Sequence, residues 1–564
     1  MQYTSTRDKS IRVSAATAIA QGISEEGGLF VPCELPHFSL DSIGKMVSMP
    51  YTERAKTVLK EFLTDFTEEE LDYCVEGAYE ASKFSSDKIA PTVHINKNEN
   101  ILELWHGPTC AFKDMALQLL PYLMTVSAKK TADGKTIVIL VATSGDTGKA
   151  ALEGFKNVDN TKILVFYPVD GVSPMQKLQM TTQEGDNVSV CAINGNFDDA
   201  QSAVKSIFTN DDIKAELAKK NMMFSSANSI NWGRLVPQIV YYFSTYCDLL
   251  DQGQIALGDE INVVVPTGNF GNILAAYYAK NMGLPIKKLV CASNSNNVLT
   301  DFLKSGKYDK NRKFYTTTSP SMDILISSNL ERLLYHMSKE DDSLVCDLMT
   351  SLNSKGEYVV SNTLIGNIQS LFDAGCCDEK SVDNTIKEMF DKYHYLCDTH
   401  TAVAVKVYEN YVKETGDDVP TVIDSTASPY KFSKSVLSAV LGGKTPELDE
   451  FEMVDELNKE TGAAIPTPLK ALKDKTDTEP YPLAKKTLEV LIDNADLAKD
   501  NMMPICQDTG MAFVYITIGQ EVHVDGDLKA AINEGVRQGY EEGYLRKSVV
   551  DDPLFERINT KDNT

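Results

Sequence analysis

One lysine of the chain stands where a hydrated amine would be out of place. Lys113 lies in the stretch "LELWHGPTCAFKDMALQLLPYLM", residues 102–124, between a phenylalanine and a long apolar run. Burial disfavours the charged form of an amine, so a lysine in such surroundings has a lowered pKa. The free base is a nucleophile. The pattern therefore favours a reactive Lys113 over a lysine that only marks the start of a helix.

Two glycine turns offer binding places for an anion. "PTGNFGN" joins an apolar strand to the helical run "NILAAYYAK", and "ATSGDTGKA" follows the strand "TIVILV". Backbone N–H groups at a helix start bind phosphate. The spacing of Gly268 and Gly271 is not the GxGxxG of dinucleotide folds, and alanine replaces the Ser/Thr of a P-loop at position 150. NAD and ATP are disfavoured. Either turn alone could simply connect two elements, but together with Lys113 they favour a phosphate-bearing cofactor.

The elements that must position these residues alternate between apolar strands and helices. "TKILVFYPV" and "KKLVCASN" are further β-branched runs of strand length. Strands buried on both faces and alternating with helices predict an α/β fold with open, mostly parallel sheets. Ligands of such sheets bind at the carboxyl ends of the strands, where both glycine turns fall.

Composition narrows the class of protein. The chain of 564 residues carries 55 basic and 80 acidic side chains, a net charge of −25, which repels nucleic acid. An anionic small substrate would need a local positive pocket. The 11 cysteines form no CxxC pair, which favours reduced thiols in a cytosol. The opening "MQYTSTRDKS" lacks a signal-peptide core, and the apolar runs are too short to cross a membrane. A cytoplasmic protein is expected.

The character of the sequence changes near residue 475. "AAIPTPLKALKDKTDTEPYP" is rich in proline, lysine and acid, which predicts a linker. Beyond it we expect a helix over "LAKKTLEVLIDNADLAKDN", a strand over "MAFVYITIG" and a helix over "DLKAAINEGVRQGYEEGYLRKSVV".

Several blocks of the sequence, taken in order, resemble the signature blocks of one enzyme family. They are "YTSTRD", "GISEEGGLFVP", "ELWHGPTCAFKDMALQ", "ATSGDTGKAA", "NSINWGRLVPQ", "PTGNFGN" and "STASPYKF". Over about residues 1–475 the chain resembles threonine synthase of the long microbial and fungal type. The resemblance implies pyridoxal 5′-phosphate, fold type II with two open sheet domains, and conversion of O-phospho-L-homoserine and water to L-threonine and phosphate.

The resemblance also implies roles for residues at the cofactor. Lys113 matches the family's Schiff-base lysine. The residues that match the phosphate-cradling loop are Gly268, Asn269, Phe270 and Asn272. Asn272 stands where a relative often has aspartate. Thr426 matches the hydroxyl that faces the pyridine nitrogen, with Asp424 as a rival two residues away.

Substrate contacts are expected elsewhere. The residues that match the loop for the substrate's α-carboxylate are Ser144, Gly145, Asp146 and Thr147. Arg234 is a candidate for a fixed anion contact, because a guanidinium pairs bidentately with phosphate. His106 and His400 could each line the site or only pack, and packing is expected of Cys110. Asp8 departs from the usual "STRG" block and weakens any role for Arg7.

The resemblance implies a stepwise reaction. Lys113 as a free base takes the α-proton while the pyridine ring accepts electrons. Removal of a proton from the β-carbon then expels the γ-phosphate, and water adds at the β-carbon. Reactive intermediates must be kept from water, so closure around the site is expected.

The C-terminal stretch resembles a different family. "PICQDTG" is similar to an internal piece of the α region of class I fumarate hydratase, an iron–sulfur enzyme. Cys506 matches one of that family's three cluster ligands, and no cysteine follows it in this sequence. A single thiolate cannot hold a four-iron cluster. We therefore expect a fused, non-functional, small α+β fragment and no iron–sulfur cluster.

These resemblances predict a domain plan. The expected domains are an N-terminal accessory domain at 1–90, a catalytic region of two subdomains at 91–445, a tail and linker at 446–478, and the hydratase-like fragment at 479–564.

The alternatives are another fold type II lyase such as a dehydratase or β-synthase, a fumarate hydratase subunit fused to a pyridoxal-phosphate module, and an inactive binding protein. A small-molecule substrate is expected, without nucleic acid or membrane, and the oligomeric state stays open.

Overall fold

The computed structural model divides the chain into two compact units, Met1–Asp477 and Thr478–Thr564. It describes residues 1–131, 134–143, 145–169, 172–195, 197–444, 447–475, 514, 516 and 523–542. The strands of the first unit are β1 (Tyr3–Ser5), β2 (Phe30–Pro32), β3 (Thr92–Asn96), β4 (Glu99–Glu103), β5 (Thr136–Ala142), β6 (Thr161–Pro168), β7 (Val188–Ile193), β8 (Met222–Ser226), β9 (Ile261–Pro266), β10 (Ile286–Ser293), β11 (Lys307–Asp309), β12 (Glu357–Val359), β13 (Phe372–Cys376) and β14 (Thr421–Ser425).

Helices separate most of these strands. Those before β9 are α1 (Ala15–Gln21), α2 (Leu40–Met46), α3 (Tyr51–Phe62), α4 (Glu68–Ala78), α5 (Asp114–Leu117), α6 (Leu120–Thr131), α7 (Asp146–Phe155), α8 (Pro174–Thr181), α9 (Phe197–Thr209), α10 (Asp211–Lys219) and α11 (Trp232–Asp251). Those after it are α12 (Gly271–Asn281), α13 (Val298–Ser305), α14 (Leu330–Met337), α15 (Asp342–Lys355), α16 (Asn362–Leu371), α17 (Glu379–Tyr393), α18 (Thr399–Thr415), α19 (Ser433–Val440), α20 (Glu450–Thr461), α21 (Thr467–Lys470) and α22 (Leu472–Lys475).

The larger sheet has six strands in the order β13-β10-β9-β14-β4-β3. Its strands are parallel except at the edge, where β3 pairs antiparallel with β4. Every residue of β9 and β14 is buried, because helices cover both faces of a parallel sheet. Burial on both faces explains why β9 is a continuous apolar run in the sequence.

The smaller sheet has four parallel strands in the order β7-β6-β5-β8. In both sheets a central strand leads through a glycine turn into a helix, β5 into α7 and β9 into α12. The predicted pair of strand–turn–helix units and the α/β class are confirmed.

Helix α11 forms the centre of the core. Its side chains are buried over almost its whole length. Trp232 packs against Tyr3 at 5.4 Å between ring centroids. At the other end Asp248 pairs with Arg54 of α3 at 2.8 Å. One helix therefore fixes the N-terminal segment to the two sheets.

The segment predicted as tail and linker begins as packed structure. Met453, Val454 and Leu457 of α20 are buried, and so are Leu469 and Leu472 in the first half of the predicted linker. Two short helical turns place these last two leucines on the second core. The proline and lysine residues predicted a linker, but the leucines of the stretch are spaced so that they pack on the second core.

In the C-terminal unit the described part is mainly one helix, α23 (Leu528–Glu542), which has no buried side chain among its described residues. The helix predicted over "DLKAAINEGVRQGYEEGYLRKSVV" is confirmed over this range. The expected helix at 483–501 lies outside the described residues, as does most of the expected strand at 511–519.

Two other expectations concern the environment of the chain. All ten cysteines in the described part of the chain are free thiols. None of the described helices is long and apolar enough to span a bilayer.

Shortening Leu457 to alanine will test whether α20 belongs to the folded core. Leu457 is fully buried, so Leu457→Ala should lower the free energy of unfolding by about 2–5 kcal/mol. Urea unfolding followed by tryptophan fluorescence measures this change. Leu257→Ala is the control, because Leu257 is 46% exposed. Equal effects of the two substitutions would contradict the packing described above.

Candidate active site

Lys113 directly precedes α5 and is 8% exposed. Its Nζ lies 3.2 Å from Ser321 Oγ and 3.5 Å from Asp146 Oδ2. Burial lowers the pKa of Lys113 to about 8, against the opposing attraction of Asp146 and with the help of the positive charges on Arg234 and Lys431. The amine is therefore partly a free base near neutral pH, as its apolar sequence neighbours predicted.

A second buried lysine shares the carboxylate of Asp146. Lys431 is fully buried, with its Nζ 2.5 Å from Asp146 Oδ1, and it donates to the Thr109 carbonyl at 3.0 Å. Gln176 Nε2 donates to the same Asp146 oxygen at 2.9 Å. Burial alone would raise the pKa of Asp146, but Lys431 and Lys113 hold it well below its usual range. Two amines therefore share one carboxylate that stays ionised, and Lys113 makes the longer of the two contacts.

Ser321 links Lys113 to a histidine. It lies in the short turn Pro320–Met322. Its backbone N–H donates to His400 Nε2 at 3.2 Å, and His400 Nδ1 lies 2.8 Å from Asp398 Oδ1. Asp398 and His400 therefore hold the turn that brings Ser321 to Lys113. The contact of His400 with the amine is indirect.

The glycine loop before α12 contacts the same turn. A Cβ added at Gly268 would lie 2.6 Å from the Ser321 carbonyl oxygen, so only glycine fits there. Phe270 has φ 63°. Ser327 Oγ donates to the Gly268 carbonyl, at 2.8 Å, and the Asn329 side chain to that of Asn269, at 3.0 Å.

Two backbone donors of this loop have no acceptor in the part of the chain that the structure describes. The backbone N–H groups of Asn269 and Phe270 make no hydrogen bond to another described residue. Unpaired donors at a helix N-terminus are what an anion requires.

Thr426 and Asp424 take different positions at the end of β14. The Thr426 carbonyl accepts a hydrogen bond from the Phe112 N–H at 2.8 Å, which holds this strand end beside Lys113. Asp424 Oδ2 instead accepts from Asn272 Nδ2 at 2.9 Å. The rival carboxyl group is therefore engaged with α12.

Arg234 lies beside the loop after β5. It is buried, its Nη1 donates to the Ala227 carbonyl at 2.8 Å, and its Nη2 lies 3.4 Å from Thr147 Oγ1. Burial lowers the pKa of Arg234 to about 10. Gly145 has φ 137°, and an added Cβ would meet the Gln176 side chain at 2.5 Å. Ser144, the first residue predicted for this loop, lies outside the described residues.

Of the other residues named from the sequence, His106, Arg7 and Asp8 have partners of their own. His106 is bonded to Glu103 and Ser85, each at 2.8 Å. Arg7 forms a bidentate ion pair with Glu331 at 2.8 and 2.7 Å, independently of Asp8, which bonds Ser10. Cys110, three residues before Lys113, is buried, which raises the pKa of its thiol to about 12. Cys506 lies outside the described residues.

Sequence reasoning missed Lys431 and Ser321. Lys431 sits in "SPYKFSKSV" with aromatic neighbours, the signal that singled out Lys113, so it could have been found. Ser321 lies in the hydroxyl-rich run "TTTSPSMD", where nothing distinguishes one serine from the next.

Four family models match the chain. They are Threonine synthase N terminus at residues 2–79, Pyridoxal-phosphate dependent enzyme at 101–423, Threonine synthase, C-terminal at 401–474, and Fumarate hydratase (Fumerase) at 452–564. The second covers Lys113, the whole four-stranded sheet and most of the six-stranded one.

Relatives extend the match over most of the first unit. Threonine synthase-like 1 of Homo sapiens is 42% identical over 77% of this chain, which spans only 58% of that relative's length. Threonine synthase of Pseudomonas aeruginosa is 38% identical over 78% of this chain and 91% of its own. The crystal structure of pyridoxal-phosphate-bound threonine synthase from Brucella melitensis superposes with a TM-score of 0.72 and 37% identity, covering 82% of this chain and all of that one.

The two sheets, the buried lysine and these matches define a pyridoxal-phosphate dependent enzyme of fold type II. Within that class the chain belongs to the threonine synthase family. The resemblance predicted from the sequence blocks is confirmed, and so is the similarity of the C-terminal stretch to fumarate hydratase.

Removing Lys431 should raise the pKa of Lys113. Lys431→Gln removes a like charge and leaves Asp146 to Lys113 alone, so the inflection of Lys113 should rise by about one pH unit. The rate of Lys113 acetylation in the cofactor-free chain, read by mass spectrometry against pH, measures it.

The matched control is Lys287→Gln, because Lys287 pairs with Asp417 at 2.9 Å and is 40% exposed. An unchanged or lower inflection in Lys431→Gln would show that Asp146 does not couple the two amines.

Proposed function

We propose that the chain binds pyridoxal 5′-phosphate and converts O-phospho-L-homoserine and water to L-threonine and phosphate. One observation carries the proposal: Ser321 touches both the amine of Lys113 and the backbone of Gly268. A buried amine of lowered pKa therefore lies beside a glycine loop with unpaired donors. This is the combination that an aldehyde bearing a phosphate requires.

The residues present fit that cofactor. Lys113 would hold its aldehyde, the loop of Gly268, Asn269 and Phe270 its phosphate, and Thr426 its pyridine nitrogen. The pocket of Gly268 supports this fit, because a Cβ there would meet the Ser321 carbonyl. When bound, the cofactor supplies an electron sink that stabilises negative charge on substrate carbon.

Proton transfer would fall to Lys113. With a pKa near 8, the amine can both accept and return a proton at neutral pH, which general acid–base catalysis requires. Asp146 stays balanced by Lys431 when Lys113 is uncharged, because that ion pair is the shorter one. Asp146 therefore keeps a paired ammonium group in both protonation states of Lys113.

The substrate's anionic groups would meet a local excess of positive charge. Lys113 and Lys431 both pair with Asp146, and the positive charge of Arg234 also acts on the Lys113 amine. The chain as a whole carries −25, so this pocket works against the global field. Arg234 and Thr147 are the proposed contacts for a substrate anion. The Asp146 side chain would orient Lys113 rather than receive a carboxylate.

We infer the remaining organisation from the same family. The domain plan of 1–90, 91–445, 446–478 and 479–564 is kept as a proposal, with residues 450–475 packed on the first unit. A cytoplasmic location is supported by the free thiols, which a reducing compartment maintains. A small-molecule phosphate ester is the proposed substrate.

Replacing Lys113 will test the reaction. Purified chain with pyridoxal 5′-phosphate should release phosphate and threonine from O-phospho-L-homoserine, and Lys113→Ala should reduce the rate about a thousandfold or more. Lys287→Ala is the control for loss of a lysine. Phosphate release without threonine would indicate another reaction of the same cofactor, and absence of an imine absorption band distinct from that of the free cofactor would refute the assignment.

Filling the glycine pocket will test the phosphate site. Gly268→Ala forces the loop away from the Ser321 carbonyl, so affinity for pyridoxal 5′-phosphate should fall by at least about tenfold. Fluorescence titration of the cofactor-free chain measures the affinity. The control is Gly366→Ala, because an added Cβ at Gly366 meets nothing within 4 Å. Wild-type affinity in Gly268→Ala would place the phosphate elsewhere.

A further inference from the structure

Four buried side chains form a closed hydrogen-bond network under the first turn of α12. They are Tyr241 and Tyr242 of α11, Asn272 of α12 and Asp424 of β14. Asn272 follows the glycine loop directly. The network therefore supports the turn whose N–H groups are proposed to hold the cofactor phosphate.

The contacts in this network are short. The Tyr242 hydroxyl lies 2.7 Å from Asp424 Oδ2 and 2.6 Å from Asn272 Oδ1. The Tyr241 hydroxyl bonds the same Asn272 oxygen. Asn272 Nδ2 donates to Asp424 Oδ2 at 2.9 Å.

Counting protons fixes the state of Asp424. Three contacts among these four side chains join oxygen to oxygen, and each needs one proton to be attractive. The Tyr241 hydroxyl also lies 3.2 Å from Gln238 Oε1, and the Tyr242 hydroxyl 3.3 Å from the Asn272 carbonyl oxygen, so neither tyrosine has a proton to spare. The two tyrosines supply two protons. An amide N–H of Asn272 makes the separate nitrogen–oxygen contact and adds no proton to the other three. The third proton must therefore come from Asp424.

Reversing the Asn272 amide leads to the same result. Its nitrogen would then donate to both tyrosines, and its oxygen would lie 2.9 Å from Asp424 Oδ2. Two oxygens at that distance again need a proton, which only the carboxyl group can supply. Both orientations of the amide require a protonated Asp424.

The surroundings agree with a neutral acid. Asp424 Oδ1 is buried and has no hydrogen-bond partner among the described residues, which would be costly for an ionised carboxylate. Burial raises the pKa of Asp424 to about 7. The titratable groups facing it are Tyr242 and, beyond it, Tyr241, both from α11. Strand β4 places Leu102 beside it, and no described lysine or arginine pairs with it.

We propose that Asp424 is a positioning residue that, as a neutral carboxylic acid, closes the network under α12 and keeps this helix start receptive to an anion. The inference rests on the proposed cofactor site. Ionisation of Asp424 would break one contact and place a negative charge beneath the phosphate loop, which opposes an anionic ligand.

Two ligands that differ only in an anionic group test the proposal. Pyridoxal 5′-sulfate keeps one charge over the pH range used, and 5′-deoxypyridoxal lacks the ester and has no 5′-hydroxyl that could close on the aldehyde. Both carry the same aldehyde, so attachment to Lys113 cancels in the ratio of their affinities. The ratio is measured by fluorescence titration between about pH 6 and pH 8.5, for wild type, Asp424→Asn and the control Asp373→Asn in β13 of the same sheet.

In wild type and Asp373→Asn the ratio should fall on the order of tenfold as pH rises, because Asp424 ionises over this range. In Asp424→Asn it should stay constant. A constant wild-type ratio, or an equal fall in Asp424→Asn, overturns the inference and leaves the proposed function intact. If neither ligand binds, the proposed function fails as well.

A second measurement covers the case in which Asp424→Asn does not fold. Infrared difference spectra of wild type across the same pH range should then show loss of a carboxylic-acid C=O band that accompanies the falling ratio. Absence of that band overturns the inference.

Discussion

The active site depends on one carboxylate placed between two buried amines. Asp146 contacts Lys431 at 2.5 Å and Lys113 at 3.5 Å. An isolated charge could not be buried here. When both amines are protonated, Asp146 balances one of the two positive charges and leaves one proton in excess. Since Lys431 has the shorter contact, that proton is held least firmly on Lys113. The reactivity of Lys113 is therefore a property of the three groups together.

The fold brings these groups together from distant parts of the chain. Asp146 begins the helix after β5, Lys113 precedes α5, and Lys431 follows β14. The turn of Ser321 adds a fourth segment and is fixed by His400. Because parallel strands deliver their carboxyl ends to one edge, loops that are far apart in sequence can meet at such a site.

The sequence predicted the sheets and Lys113 well because local signals determine both. Apolar runs of strand length mark β5 and β9, and an amine among apolar residues marks Lys113. It did not predict Ser321, whose position depends on a turn held by His400. It also predicted a linker that includes residues 463–475, because proline and lysine are local signals. The burial of Leu469 and Leu472 depends instead on packing against the second core. Contacts made across the fold were the part that could not be predicted.

Helix α11 carries residues of two separate sites on one rigid rod. Arg234 lies in its first turn, and Tyr242 under the phosphate loop follows eight residues later, a distance of about 12 Å along the axis. No loop intervenes, so one helix sets the spacing between the two proposed anion-binding places. The distance between the proposed cofactor phosphate and the proposed substrate anion is thus fixed by a single secondary-structure element.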